Sequence, residues 1–144
     1  MSSKRERVLG AIKALVVAAL PYADVVRNAD QPDEIAPGGS VIVRDGDPGE
    51  PEVDLSPATF NYQHRIALEV AAYQSGSRSR EQVLDDMLGA IGDAVRADRT
   101  LGGLCDYLEA EAPSTDDLRA LGAEPARWAD AVIVASYATS DPFN

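Results

Sequence analysis

Cysteine and histidine occur once each in this chain of 144 residues, and lysine only twice. The single cysteine, Cys105, excludes an internal disulfide and any metal cluster built from thiolates alone, a usage that fits a reducing compartment. One histidine, His64, cannot assemble a histidine metal site. Long apolar runs are also missing. The most apolar stretch, "ALVVAAL" at 14–20, falls far short of the ~20 residues a membrane-crossing helix needs, so no membrane partner is expected. Positive charge is scarce: 13 lysines and arginines face 24 carboxylates, for a formal net charge of −11. Such a surface repels a nucleic-acid backbone, which argues against a sequence-reading nucleic-acid binder. Internal repeats and low-complexity segments are absent from the sequence.

What remains is the composition of one compact domain over residues 1–144, with 45 % hydrophobic residues to build its core. Near the start, Lys4, Arg5 and Arg7 before "ALVVAAL" have the order of a secretion signal. Gly10 and Lys13 interrupt the apolar run, however, and Val8, Leu9, Ile12, Leu15, Val16, Ala19 and Leu20 recur at the helical period. The spacing predicts an amphipathic helix over 3–20, opened by a Ser3/Glu6 capping box and closed by Pro21. "DVVRN" and "SVIVRD" read as short strands, the second preceded by the turn residues "PDEIAPGG". Residues 45–57 hold three prolines among five carboxylates and read as a protruding, mobile loop.

From Thr59 the pattern alternates strictly, with Phe60, Tyr62, His64, Ile66, Leu68 and Val70 on one side and Asn61, Gln63, Arg65 and Glu69 on the other. A strand of that length reaches ~40 Å, more than a small core requires, so part of it should project beyond the sheet. Ser79 and Gln82 form a second capping box before Val83, Leu84, Met87, Leu88, Ile91 and Val95, which predicts a helix over 80–97. Residues 104–112 carry signals of both helix and strand, with strand favoured, and "ADAVIVASYAT" closes the chain as a strand before Pro142.

The motifs carry little chemistry. "TLGG" follows a helix instead of preceding one, so its amides cannot cradle a phosphate, and Gly102 or Gly103 is expected as a left-handed helix stop. "PGGS" precedes a strand and lacks a helix to donate from. A Cys105–His64 nucleophile pair is arithmetically possible, but His64 on an apolar strand side reads as a hydrogen-bonded core or interface histidine and Cys105 as a small buried hydrophobe. Asp45, Asp47, Glu50, Glu52 and Asp54 offer oxygen ligands in an order that does not match a calcium loop. No catalytic residue, cofactor site or metal site is expected, which turns attention to a structural or assembly role.

The order of elements, the "ADRTLGGL" helix exit (97–104) and the closing Tyr137, Thr139 and Pro142 resemble the phage tail terminator family, related to the minor tail protein U of lambda-like phages and present in prophages and gene transfer agents. The resemblance implies an α/β fold of the α+β type, a single small mixed or antiparallel sheet covered by two helices. It implies a virion protein assembled in the host cytoplasm, forming a homohexameric ring at the head-proximal end of the tail. Such a ring stops tube polymerisation and offers the head-tail joining surface, with the major tail tube protein and a head-completion or connector protein as partners. Three features of the sequence agree. The long strand can serve as an inter-subunit arm, the turn at Arg99 and Thr100 can face a neighbour, and the acidic chain suits a bore through which DNA slides without specific binding. Six copies at −11 bring about −66 to one ring. The candidate subunit or tube interface is therefore Asp45, Asp47, Glu50, Glu52, Asp54, Phe60, Tyr62, Arg99 and Thr100. Two alternatives stay open: another head-completion protein of similar shape, and a small cytosolic enzyme using Cys105 or His64.

Overall fold

The computed structural model describes residues 2–31, 35–116 and 126–144, so part of the turn segment "PDEIAPGG" lies outside the described residues. The elements run α1 (Lys4–Ala19), β1 (Asp24–Arg27), β2 (Ser40–Arg44), β3 (Glu52–Leu55), β4 (Ala58–Ala72), α2 (Arg80–Ala97), β5 (Tyr107–Asp116) and β6 (Arg127–Thr139). One mixed sheet of six strands has the order β1-β2-β4-β6-β5, and β3 pairs with β4 off that path. Only β1 and β2 run parallel. This is the α+β arrangement of one sheet and two helices.

Both helices start as their sequences direct. Ser3 Oγ accepts from the Glu6 amide, and at α2 the capping box is complete, Ser79 Oγ accepting from Gln82 N–H while Gln82 Oε1 accepts from Ser79 N–H. Val8, Leu9, Ile12 and Val16 of α1 and Leu84, Met87, Ile91 and Val95 of α2 are buried against one face of the sheet. There they meet Val41, Val43, Tyr62, Ile66, Leu68, Val70, Ile133 and Tyr137. Each such branched or aromatic side chain contributes roughly 1.5–3 kcal/mol by leaving water. A smaller cluster of Ile35, Ile42, Ala71, Ala126 and Trp128 covers the opposite face at one end. On the rest of that face Arg65 pairs with Glu111 and Arg44 with Glu69.

β4 forms the spine. It pairs with β6 over thirteen positions from Phe60↔Thr139 to Ala72↔Arg127, and its inward set is the alternating one expected from the sequence. It does not overhang the sheet alone. Its first residues, Ala58 to Asn61, pair with β3 on one side while β6 reaches Phe60 and Asn61 on the other. The projecting part is thus a hairpin arm whose added strand, β3, is exposed at all four positions.

Three expectations are corrected. Residues 45–57 are not loop throughout, because Glu52–Leu55 form β3, stabilised by the unpaired edge that the length of β4 leaves open. The ambiguous 104–112 segment is a strand only from Tyr107, and it runs on to Asp116 through an irregularity between Glu111 and Ser114, where Pro113 lacks a ladder donor. The glycines do not stop α2. The helix ends at Asp98, whose N–H bonds to Ala94 O and Val95 O, and the left-handed residues come later as Leu101, Gly102 and Gly103 in succession. These three build a tight reversal, with Asp98 Oδ1 accepting from Gly102 N–H at 3.0 Å and Thr100 O accepting from Cys105 N–H at 2.9 Å.

Candidate functional site

The acidic segment leaves the end of β2 and crosses the edge of β4 before β3 begins. Its root is fixed by charge. Arg27, at the end of β1, donates from Nε and Nη2 to Asp45 at 2.6 and 3.0 Å and from Nη1 and Nη2 to Glu6 of α1 at 2.7 and 2.8 Å. Asn28 Oδ1 accepts from the Asp45 amide. The Arg27 hydrogen bonds hold both carboxylates below their ordinary pKa, and Arg27 in turn is held more firmly protonated.

His64 completes the anchor from below. It is fully buried, with Nε2 2.6 Å from Asp45 O and Nδ1 2.9 Å from the Tyr137 hydroxyl. A carbonyl oxygen can only accept, so the neutral ring must carry its proton on Nε2. Nδ1 is then the acceptor, and the Tyr137 O–H donates to it. Burial lowers the His64 pKa and pushes Tyr137 up to about 12, so both groups stay neutral near pH 7. Gly46 belongs to the same contact: at φ +63 it brings the chain so near the Arg65 carbonyl that a Cβ would sit 2.5 Å from that oxygen.

Beyond this root, Pro48, Gly49, Glu50 and Glu52 wall a polar cleft of about 350 Å³ with Asn61, Tyr62, Gln63, Asp106, Ser136 and Tyr137. Asp47 Oδ1 turns the segment by accepting from Gly49 N–H, and Asp54 Oδ2 accepts from Asn61. The structure therefore gathers Asp45, Asp47, Glu50, Glu52 and Asp54 around the base and edge of the arm but gives them different tasks. Asp45 is an anchor, whereas Glu50, Glu52 and Asp54 are exposed. Phe60 is half-buried against the core, and Tyr62 is buried within it, 5.8 Å from the Tyr137 ring.

Arg99 and Thr100 do not line that cleft. Arg99 clasps the start of β5: its Nη1 donates to Leu108 O at 2.8 Å, its own carbonyl accepts from Leu108 N–H at 2.7 Å, and its guanidinium lies 4.9 Å from the Tyr107 ring centroid. Thr100 Oγ1 accepts from Gly103 N–H. Both residues shape the reversal after α2.

Cys105 is buried and its thiol is pushed up to about 11 by that burial. With both ring nitrogens of His64 engaged by Tyr137 and Asp45, the histidine has no lone pair for the thiol. Among the described residues, no three His, Cys, Asp or Glu side chains converge as they would around a metal ion, and no helix is long and apolar enough to cross a membrane.

Sequence reasoning missed Arg27. One signal was available: in "DVVR" the alternation places Arg27 with Val25 on the helix-facing side of an edge strand, where a charge requires a partner.

No family model matches the chain, and no curated protein sequence matches it either. A solved structure does: one chain from the virion of a native gene transfer agent particle superposes with a TM-score of 0.56 at 18 % identity, over 92 % of this chain and 95 % of that one. At this identity the likeness speaks for the shared fold.

Proposed function

We propose that this chain is a structural subunit of a phage-like virion, and within it the tail terminator: a homohexameric ring that caps the tail tube, stops its growth and presents the surface to which the head-completion protein joins. The observation that carries the proposal is the likeness, over nearly the whole of both chains, to a chain of a gene transfer agent virion. The helix exit at 97–104 and the closing Tyr137, Thr139 and Pro142 support it from the sequence side. On this reading the protein works by fit and charge, not by turnover. The anchored root and exposed arm supply a rigid inter-subunit or tube contact, and the acidic chain gives a bore that does not hold DNA.

The test is capping. Purified protein added to growing tail tubes should arrest elongation and appear as a six-fold ring at one end in negative-stain images. Tubes that grow unchanged, with no density at their ends, overturn the proposal. The same likeness accommodates a head-completion subunit, and binding to filled heads instead of tubes would select that role.

A further inference from the structure

One cation stands where the helical pattern calls for an apolar side chain. Arg5 precedes Val8, Leu9, Ile12 and Val16 at the helical spacing, so it shares the buried stripe of α1 and turns towards the sheet. It is half-buried there, yet it makes no hydrogen bond or ion pair with any described residue. Its position adds to the cost. Arg5 lies in the first turn of α1, where the helix dipole favours an anion over a cation. In a chain with 24 carboxylates, an inward cation without a counter-ion marks a place kept for a guest.

Beside it is a small cavity of about 10 Å³, lined by Arg5, Pro48, Tyr62, Tyr137, Thr139 and Pro142. That is room for about one water-sized atom. Few donors face it. Pro48 and Pro142 have no N–H. The Tyr137 hydroxyl donates to His64 Nδ1, and Thr139 Oγ1 donates to Asn144 O at 2.5 Å, with Asp141 O at 3.1 Å. Tyr62 differs from these. It is 8 % exposed and its hydroxyl has no partner among the described residues. Nor is that hydroxyl sealed in the core, because the fully enclosed side-chain atoms without a partner are Ser40 Oγ and Glu111 Oε1. Second only to burial, the Arg5 charge acts on the neighbouring Tyr137 hydroxyl, which brings the guanidinium to the same corner. Two unspent donors, one charged and one phenolic, thus share a space for one oxygen atom.

We infer that this corner is a carboxylate site, in which one carboxylate oxygen enters the cavity and accepts from the Tyr62 hydroxyl and from an Arg5 N–H. The second oxygen stays at the mouth, on the guanidinium side. A water molecule would satisfy the phenol but leave the charge of Arg5 unanswered, so the guest is an anion. The carboxylate comes from a free small acid or from an acidic side chain of a second copy, and in the second case the site is a subunit contact of the ring proposed above.

Sodium formate is the probe. Titrated into dilute, monomeric protein at constant ionic strength, it should move the amide resonances of Tyr62 and Tyr137 and the Nε–H resonance of Arg5, which Arg5→Lys identifies by its loss. Saturation is expected with a Kd of about 1–20 mM. Tyr62→Phe keeps the ring, removes the phenol and should weaken formate about tenfold. Arg5→Gln should abolish binding, whereas Arg7→Gln, at an exposed position of the same helix end, should leave it unchanged. Circular dichroism and thermal melting confirm that each variant folds as the parent does. A second arm raises the protein concentration without formate. The same resonances moving together identify a second copy as the source, and resonances that stay still assign the site to a free small acid.

Formate that moves none of these resonances up to about 200 mM overturns the site. So does an affinity that Tyr62→Phe and Arg7→Gln change alike, since that is the general pull of a basic helix end. Either result leaves the tail-terminator reading standing. Tubes that go uncapped would in turn leave the carboxylate site intact.

Discussion

Replacing His64 by glutamine separates two contributions of one buried side chain. The first is hydrogen bonding: without the imidazole, Asp45 O loses its donor and the Tyr137 hydroxyl its acceptor, and glutamine can serve both only imperfectly. This should cost about 1–2 kcal/mol at pH 7.5. The second is protonic. Burial depresses the folded pKa of His64 below its ordinary 6.5, so as pH falls the unfolded chain takes up the proton first. Stability from the neutral ring is therefore fully present above pH 6.5 and is lost as pH falls from 6.5 towards the folded value. The slope is at most about 1.4 kcal/mol per pH unit. No other histidine contributes. Glu6 and Asp45, whose pKa values are lowered, lose their contribution only further down, below about pH 4.5. Urea unfolding followed by the emission of the buried Trp128 at several pH values gives the measurement. The stability gap between parent and His64→Gln should narrow as the pH falls from 7 to 5.5. A gap that is constant over this range would show that the ring titrates equally in both states, and the assignment of a neutral, buried imidazole would fail.

Arg27→Met should cost about 1–2 kcal/mol, since it breaks two bridges whose carboxylate partners are 51 % and 38 % exposed and so largely screened, and leaves Glu6 and Asp45 without their shared cation. The cost should shrink with added salt, and a cost indifferent to salt would count against the electrostatic anchor. Cys105 should resist iodoacetamide at pH 8 until the chain is unfolded, because burial raises its thiol to about 11, and Cys105→Ser should still cap tubes; rapid labelling of the native protein would contradict the packing role. Changing Asp47, Glu50, Glu52 and Asp54 to Asn or Gln should leave the melting temperature unchanged yet reduce tube capping at low salt, whereas Asp45→Asn should also destabilise the fold by loosening Arg27. Equal capping at every salt concentration by the four-residue variant would remove electrostatics from assembly.

The helices and the inward side of β4 were legible because each states its pattern locally. A capping box lies beside a 3.6-residue stripe in α1 and α2, and strict alternation marks β4. β3 was hidden because its four residues sit between prolines and carboxylates, and the reason it is a strand lies elsewhere, in the unpaired edge of β4. The bounds of β5 were blurred for a similar reason. It is an edge strand whose start is clasped by Arg99, a residue that sequence alone places at a possible interface. Of the candidate site, composition identified the acids but could not distinguish the anchor from the exposed members. The Asp45 carboxylate differs from that of Asp47 through Arg27 and the Glu6 that shares it, which arrive from 18 and 39 residues away in the chain.

The division of the acidic segment into a fixed root and an exposed arm bears on how this chain can associate. Binding loses free energy when a contact element must first be ordered, at about 0.5–1.5 kcal/mol for each mobile side chain and more where backbone is fixed as well. Here the ordering is already built into the monomer. Arg27 ties the root to β1 and α1, His64 and Tyr137 hold it from the core, and β3 is registered on β4 from Glu52↔Asn61 to Leu55↔Ala58. What stays open to water includes Leu55 on β3, at 83 % exposure, and the groove between the two helices. A monomer under selection only to stay soluble has no reason to fix an arm so firmly and then leave Leu55 in water. Rigidity at the base together with apolar exposure at the tip is the arrangement expected of a preorganised contact, and that is the support the segment lends to the proposed assembly role.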